Sequence, residues 1–180
     1  HGAGGIVFED LHPGATLFHG RPWAWSVFCD EYVKTFDAAI MVGQHAMAGT
    51  QRGNLNHTQD SKAIEYYKLN GRPMGEIGQF ALMCGAYNVP MIFLSGDNAA
   101  CSETEDLIPG ITTAAVKIGL SRTSAISCPP PEAHRRIREG IKKAIQQHRK
   151  KAIQPLKLKG PYVLEKKFFH TGNVDHYAQH

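Results

Sequence analysis

The stretch AAIMVGQHAMAG, residues 38–49, decides the fold class of this chain. Its apolar run predicts a buried strand over residues 38–43, and the run leads directly to a histidine, His45, set among small residues. Two interpretations compete for His45. It is either a core histidine that has found a hydrogen bond or a ligand held at the end of a strand. Taken alone, the core histidine is the more ordinary interpretation. The small neighbours add support for a ligand, because they let a metal ion or a substrate approach the backbone closely.

Apolar runs and amphipathic stretches alternate along the rest of the chain. We predict further strands over residues 63–69, 90–94, 111–117 and 161–169, and helices over residues 75–87, 98–107 and 132–151. This alternation indicates an α/β fold with a mainly parallel sheet flanked by helices. The turn sequence Asn70-Gly71-Arg72-Pro73 allows a β-hairpin insertion around residues 60–72. We take residues 1–180 as a single domain.

Composition is that of a globular protein, with 42% hydrophobic and 20% charged residues in 180. The four cysteines form no CxxC pair, so we expect free thiols and a cytoplasmic location. No run of about 18 apolar residues occurs, and we therefore expect no membrane-spanning helix.

A basic segment, residues 134–151, carries eight Lys and Arg residues against one Glu. A solvated charged helix face is the more ordinary interpretation. The alternative is a surface for phosphate or nucleic acid. No aromatic residue interleaves with the basic ones to stack on bases, so nucleic-acid binding ranks low.

Candidate functional residues follow the predicted strands and turns, because sites in parallel sheets gather beyond the carboxyl ends of the strands. His45 occupies such a position, and His57 lies in the polar segment GNLNHT. Glu76 falls in the first turn of a predicted helix, where a carboxylate either offsets the helix dipole or serves as a ligand. Imidazole nitrogens and carboxylate oxygens are donors that zinc accepts. Asp97 and Asn98 follow another strand, as helix caps or as groups near the site.

Five segments share a further property. They are GQHAMAG, NHT, NGRPMGEIGQFAL, VPMIFLSGD and LIPGITTAAVKIGLSRTSAISCPPPEA. In order and character they resemble the bacterial D-aminopeptidase family of zinc peptidases, which includes the D-aminopeptidase encoded with dipeptide-transport genes. The resemblance implies a zinc-dependent aminopeptidase that hydrolyses short peptides with an N-terminal D-amino acid. It also implies two zinc ions in each complete site and a large, ring-like homo-oligomer.

The resemblance assigns roles to particular residues. His45 and Glu76 match metal ligands, His1 matches a further metal histidine that closes a DSHG-like motif, and His57 matches the catalytic histidine. Asp97 and Asn98 stay candidates for contacts to the ligands or the substrate. The family's first strand, which ends in an Asp-x-Glu motif, would precede His1. Family members also continue into further strand and helix beyond the last segment here, GNVDHYAQH. We therefore expect the chain to be an internal piece of a longer protein, incomplete at both ends. The alternative from another class is a non-catalytic, oligomer-forming module with an incomplete metal site.

Overall fold

The computed structural model describes residues 5–19 and 25–178. The elements in chain order are α1 (Trp25–Glu31), β1 (Ala39–Gln44), β2 (Ile64–Leu69), β3 (Arg72–Pro73), α2 (Glu76–Ala86), β4 (Met91–Asp97), α3 (Asn98–Leu107), β5 (Thr112–Ser121), β6 (Ser124–Ser127), α4 (Pro130–Lys150), β7 (Leu164–Phe168) and α5 (Thr171–Ala178). Two short 3-10 helices, Phe8–Asp10 and Val33–Thr35, precede β1.

The main sheet has the strand order β1-β4-β5-β6. Strands β1, β4 and β5 are parallel, and β6 returns antiparallel to β5 as the second strand of a hairpin. This arrangement confirms the predicted α/β class with a mainly parallel sheet. Because the three parallel strands end at one edge, the segments that follow β1 and β4 are brought together there.

A smaller antiparallel sheet has the order β3-β2-β7. Asn70 and Gly71 join β2 to β3 with φ values of 51° and 76°. Positive φ at both central residues is the geometry that fits a two-residue hairpin turn. The hairpin insertion predicted around residues 60–72 is thus present, and the predicted final strand, β7, pairs with the other edge of β2.

Strand β4 lies at the centre of the core, and all seven of its residues are buried. One hydrophobic cluster joins it to α2 and α3 and includes Ile77, Leu94 and Leu107. A second cluster joins it to α4 and includes Phe93 and Ala144. Helices α2 and α3 therefore pack against β4 in one cluster and α4 packs against it in the other. A parallel sheet requires such helical cover.

The predicted basic helix is α4, which begins at Pro130 and ends at Lys150. Arg135 forms ion pairs with Glu132 and Glu139, and Arg136 pairs with Glu132. These contacts support the solvated-face interpretation of the segment. Among the described helices, none is long and apolar enough to cross a membrane.

Helices α1 and α5 and strand β6 were not predicted from the sequence. They are short, with seven, eight and four residues, so none contains enough of a hydrophobic period to be recognised. The assignment of residues 1–180 to a single domain stays a prediction.

The close pairing of β1 with β4 generates a stability prediction. Gly96 pairs with Gln44, and a Cβ atom at Gly96 would overlap the carbonyl oxygen of Gln44. We expect Gly96→Ala to lower the free energy of unfolding by about 1–3 kcal/mol, because two buried backbones would have to separate. Urea unfolding measures this. The matched control is Gly172→Ala in α5, where an added Cβ meets nothing within 4 Å. Equal unfolding midpoints for the two variants would contradict the prediction.

Candidate metal centre

His45 is the first residue after β1, at the carboxyl edge of the parallel sheet. The pairing of β1 with β4 shifts register between Val42 and Gln44, where Gly43 has a φ of +74°. Glycine adopts this left-handed conformation without strain. The N–H of Gly43 donates to the Ser95 hydroxyl at 3.2 Å. The bulge turns the chain at the strand end, and the side chain of His45 is only 9% exposed.

His57 lies on a loop whose path is set by unusual backbone angles. Arg52, Leu55 and Gln59 all have positive φ, between 56° and 62°. Such residues persist where the surrounding structure holds them. Here the N–H of Leu55 donates to the Arg122 carbonyl at 2.7 Å, and the N–H of His57 donates to the Ala46 carbonyl at 3.4 Å. These bonds join the loop to the end of β1 and to the β5–β6 hairpin.

The two imidazoles are stacked. The ring centroids of His45 and His57 lie 3.8 Å apart, with 23° between the ring planes. Each Nδ1 faces a backbone carbonyl oxygen, that of Ala46 at 3.0 Å for His45 and that of Leu55 at 2.6 Å for His57. A carbonyl oxygen accepts and cannot donate, so each Nδ1 carries the proton. In the neutral rings, Nε2 is then the atom that offers a lone pair to a metal ion.

Glu76 is the first residue of α2. Its carboxylate contacts both His45, at the end of β1, and the loop that carries His57. Its Oε2 lies 3.3 Å from Nε2 of His45, and its Oε1 accepts the backbone N–H of Gln59 at 2.5 Å. The helix start therefore stabilises the carboxylate while aiming it at the strand end.

Together, His45, His57 and Glu76 form the group with which a metal ion could be held. Each offers one ligand atom, and these atoms all lie within 4.8 Å of one another. Two imidazole nitrogens and one carboxylate oxygen suit zinc, which binds such donors at about 2.0–2.2 Å. The donor set and the tautomer of both rings therefore fit this metal. The spacing of these residues in the sequence did not force them together, but the fold does.

Comparison with known proteins agrees with this chemistry. A family profile described as D-aminopeptidase, peptidase M55, matches residues 1–180. This chain belongs to the D-aminopeptidase family. A D-aminopeptidase of Bacillus subtilis (strain 168) is 34% identical over an alignment of 172 positions, which covers 94% of this chain and 60% of that protein.

A solved member of the D-aminopeptidase family has the same fold. It is the Zn-dependent D-aminopeptidase DppA from Bacillus subtilis, described as a self-compartmentalizing protease. The two structures agree with a TM-score of 0.84 at 34% identity, over 94% of this chain and 60% of the other. The chain thus spans about 60% of the length of these two relatives.

Electrostatics bind His45 and Glu76 as a pair. Burial lowers the pKa of His45, but the hydrogen bond and charge of Glu76, the Ala46 carbonyl and the charge of Glu103 together raise it above its usual value. Burial raises the pKa of Glu76, yet the hydrogen bonds from His45 and from the Gln59 amide lower it overall. Nε2 of His45 and the carboxylate of Glu76 therefore favour a positive charge between them. That charge is carried by a proton on His45 or, in a zinc peptidase, by the metal.

Asp97 and Asn98 lie beside this group without belonging to it. Oδ1 of Asp97 accepts the N–H of Ala100 at 2.8 Å and caps α3, while Oδ2 accepts the N–H of Asn54 at 2.5 Å. Asp97 thereby anchors the loop that carries His57. Asn98 accepts the N–H of Gly119 at 2.8 Å, in β5. The predicted role of both residues near the ligands or the substrate stays a prediction.

His1, the predicted further metal ligand, lies outside the described residues.

Glu103, on α3, contacts the site but was not predicted from the sequence. Its Oε2 accepts the N–H of Met47, two residues after His45, at 2.7 Å. A signal did exist. Glu103 falls on the stripe of helix positions 100, 103, 104 and 107, whose other members are buried, and an acidic residue there is unusual.

The double anchoring by Asp97 generates a prediction. We expect Asp97→Ala to lower the free energy of unfolding by about 2–4 kcal/mol, because a helix cap and a buried acceptor for a loop amide are both lost. Chemical denaturation measures this, and Ser102→Ala, at an exposed position of the same helix, is the control. A difference of less than about 0.5 kcal/mol between the two variants would show that Asp97 does not hold the loop.

Proposed function

We propose that the protein to which this chain belongs is a zinc-dependent aminopeptidase that hydrolyses short peptides with an N-terminal D-amino acid. The observation that carries the proposal is the convergence of His45, His57 and Glu76 within 4.8 Å, in a member of the D-aminopeptidase family. Taken alone, a strand-end histidine, a loop histidine and a helix-start glutamate each have an ordinary structural explanation. Their meeting at the carboxyl edge of the sheet supports a catalytic one.

In this proposal His45 binds zinc through Nε2 and Glu76 binds it through a carboxylate oxygen. His1 is the predicted further ligand. Bound zinc would polarise the scissile carbonyl and lower the pKa of a water molecule toward neutrality. We propose two ions in the complete site, on the strength of the resemblance. The described residues supply only part of the ligands that two ions require.

His57 is the proposed catalytic histidine. Its Nδ1 donates to the Leu55 carbonyl, so its Nε2 can accept a proton and later release it to the leaving amine. The stacking on His45 places the ring beside the proposed metal ligands. The competing role is metal ligation by His57 itself, since its ligand atom lies within the same 4.8 Å group.

We further propose that the protein assembles into a ring-like homo-oligomer, as the self-compartmentalizing relative suggests. An exposed apolar patch supports this. It consists of Ile118, Leu120 and Ile126 on the β5–β6 hairpin, each at least 50% exposed. A cytoplasmic location, which the four free cysteines support, is also a proposal. The ion pairs of Arg135 and Arg136 within α4 weigh against nucleic-acid binding as its task.

Alanine variants of the two histidines test the proposal. His45→Ala should lose zinc, because it removes a ligand. His57→Ala should keep zinc and lower kcat for D-alanyl-D-alanine by about 10²- to 10⁴-fold, because it removes the proton-transfer group. Atomic emission spectroscopy of dialysed protein gives the zinc content. Comparison of kcat for D-alanyl-D-alanine with kcat for L-alanyl-L-alanine measures the stereoselectivity. His134→Ala, at an exposed position of α4, is the control.

Each outcome has a distinct meaning. Zinc content in His45→Ala equal to that of the control would exclude His45 as a ligand. Loss of zinc in His57→Ala would make His57 a ligand rather than the proton-transfer group. A wild-type protein with neither zinc nor peptidase activity would contradict the proposal and favour the non-catalytic module.

A further inference from the structure

The peptide group between Ala46 and Met47 contacts three parts of the site at once. Its carbonyl oxygen lies 3.0 Å from Nδ1 of His45 and accepts the backbone N–H of His57 at 3.4 Å. Its N–H, which points in the opposite direction within the same peptide plane, donates to Oε2 of Glu103 at 2.7 Å. One peptide unit thus joins a carboxylate on α3 to both histidines.

Glu103 occupies an unusual position for a carboxylate. It is half-buried, on a helix face whose neighbouring positions Ala100, Thr104 and Leu107 are buried. Burial raises the pKa of Glu103 above its usual value, although the Met47 amide and the charge of His45 act in the opposite direction. An apolar residue would fill this position at lower desolvation cost, so the carboxylate needs a reason other than packing.

Hydrogen bonds in a chain strengthen one another. A carboxylate that accepts from a peptide N–H increases the negative charge on the carbonyl oxygen of that peptide. The carbonyl is then a stronger acceptor for Nδ1–H of His45, and a histidine whose Nδ1–H is held in this way presents Nε2 as a better ligand. The contacts therefore form a relay from Glu103 through the peptide to the imidazole of His45.

We propose that Glu103 is a positioning residue of the metal centre, which acts through the Ala46–Met47 peptide to orient His45 and to hold it with Nε2 as the ligand atom. The effect on metal binding rests on the proposed function. The relay itself consists of hydrogen bonds that can be measured without metal. Nothing in the relay requires Glu103 to touch the metal or the substrate.

Gly75 provides an independent observation of the same contact. It directly precedes Glu76, and a Cβ atom built on it would lie 2.6 Å from Cβ of Met47 and 2.7 Å from Oε1 of Glu103. The relay is therefore packed directly against the residue before the proposed carboxylate ligand. Glu103 and Met47 set how closely the start of α2 approaches the end of β1.

Glu103→Gln tests the proposal, because it removes the charge and keeps the size and one acceptor oxygen. Zinc chloride is titrated against the protein in competition with a chromophoric chelator. We expect the zinc Kd to rise about 10- to 100-fold, as when the hydrogen-bond partner of a ligand histidine is changed. Asp106→Asn, which removes a charge from an exposed position of the same helix, should leave the Kd unchanged. Equal Kd values for the two variants would overturn the metal-site role of Glu103.

A second measurement follows the relay in metal-free protein. NMR of histidine-labelled protein reports the Nδ1–H proton of His45, and we expect Glu103→Gln to shift it upfield at an unchanged melting temperature. A purely structural role would leave this resonance in place, and an unshifted resonance would overturn the relay. If wild-type protein binds no zinc, the proposed function fails, while the NMR result still decides the relay.

Gly75→Ala replaces Glu103→Gln if that variant does not fold. The added methyl group collides with Oε1 of Glu103 and with Met47 but changes no charge. We expect the same direction of change in the zinc Kd and in the Nδ1–H resonance. Wild-type values for both would overturn the proposal.

Discussion

The parallel pairing of β1 with β4 is the constraint on which the rest of the site depends. Val42 pairs with Ser95 and Gln44 with Gly96, so the two strands end within a residue of each other at one edge of the sheet. The residues that follow, His45 after β1 and Asp97 at the end of β4, therefore emerge side by side. Gly96 makes the approach possible because a side chain there would overlap the backbone of Gln44. From this edge, Asp97 reaches the loop of His57, and α3 carries Glu103 back to the segment after His45.

The charge distribution at this edge favours a cation. Glu76 and Glu103 both act on His45, and their negative charges raise its pKa against the effect of burial. After burial itself, the charges of Asp97 and Glu76 also raise the pKa of Glu103. Half-buried carboxylates that repel one another cost free energy unless a positive charge compensates them. A proton on His45 compensates in part, whereas a divalent ion would do so more completely.

Some of this arrangement could be predicted from the sequence. The apolar run before His45 and the turn before Glu76 mark a strand end and a helix start, and both were located to within a residue or two. The position of His57 could not be derived in this way. Its loop depends on three left-handed residues and on acceptors in Asp97 and Arg122, which are separated from the loop by 43 or more positions. Local patterns do not contain such long-range contacts. They marked His57 only as a histidine in a polar segment, and the catalytic role came from the resemblance to the family.

The structural and functional explanations of these residues are not alternatives. Asp97 caps a helix, as its structural interpretation requires, and Glu76 begins one. His45 does form a hydrogen bond, to the Ala46 carbonyl, as a core histidine would. Those same bonds fix the orientation from which Nε2 of His45 meets the carboxylate of Glu76. A fold under selection for stability alone would satisfy each polar group separately, because bringing half-buried imidazoles and carboxylates together adds desolvation without adding apolar burial. The convergence, rather than any one residue, is therefore the feature that requires a functional explanation.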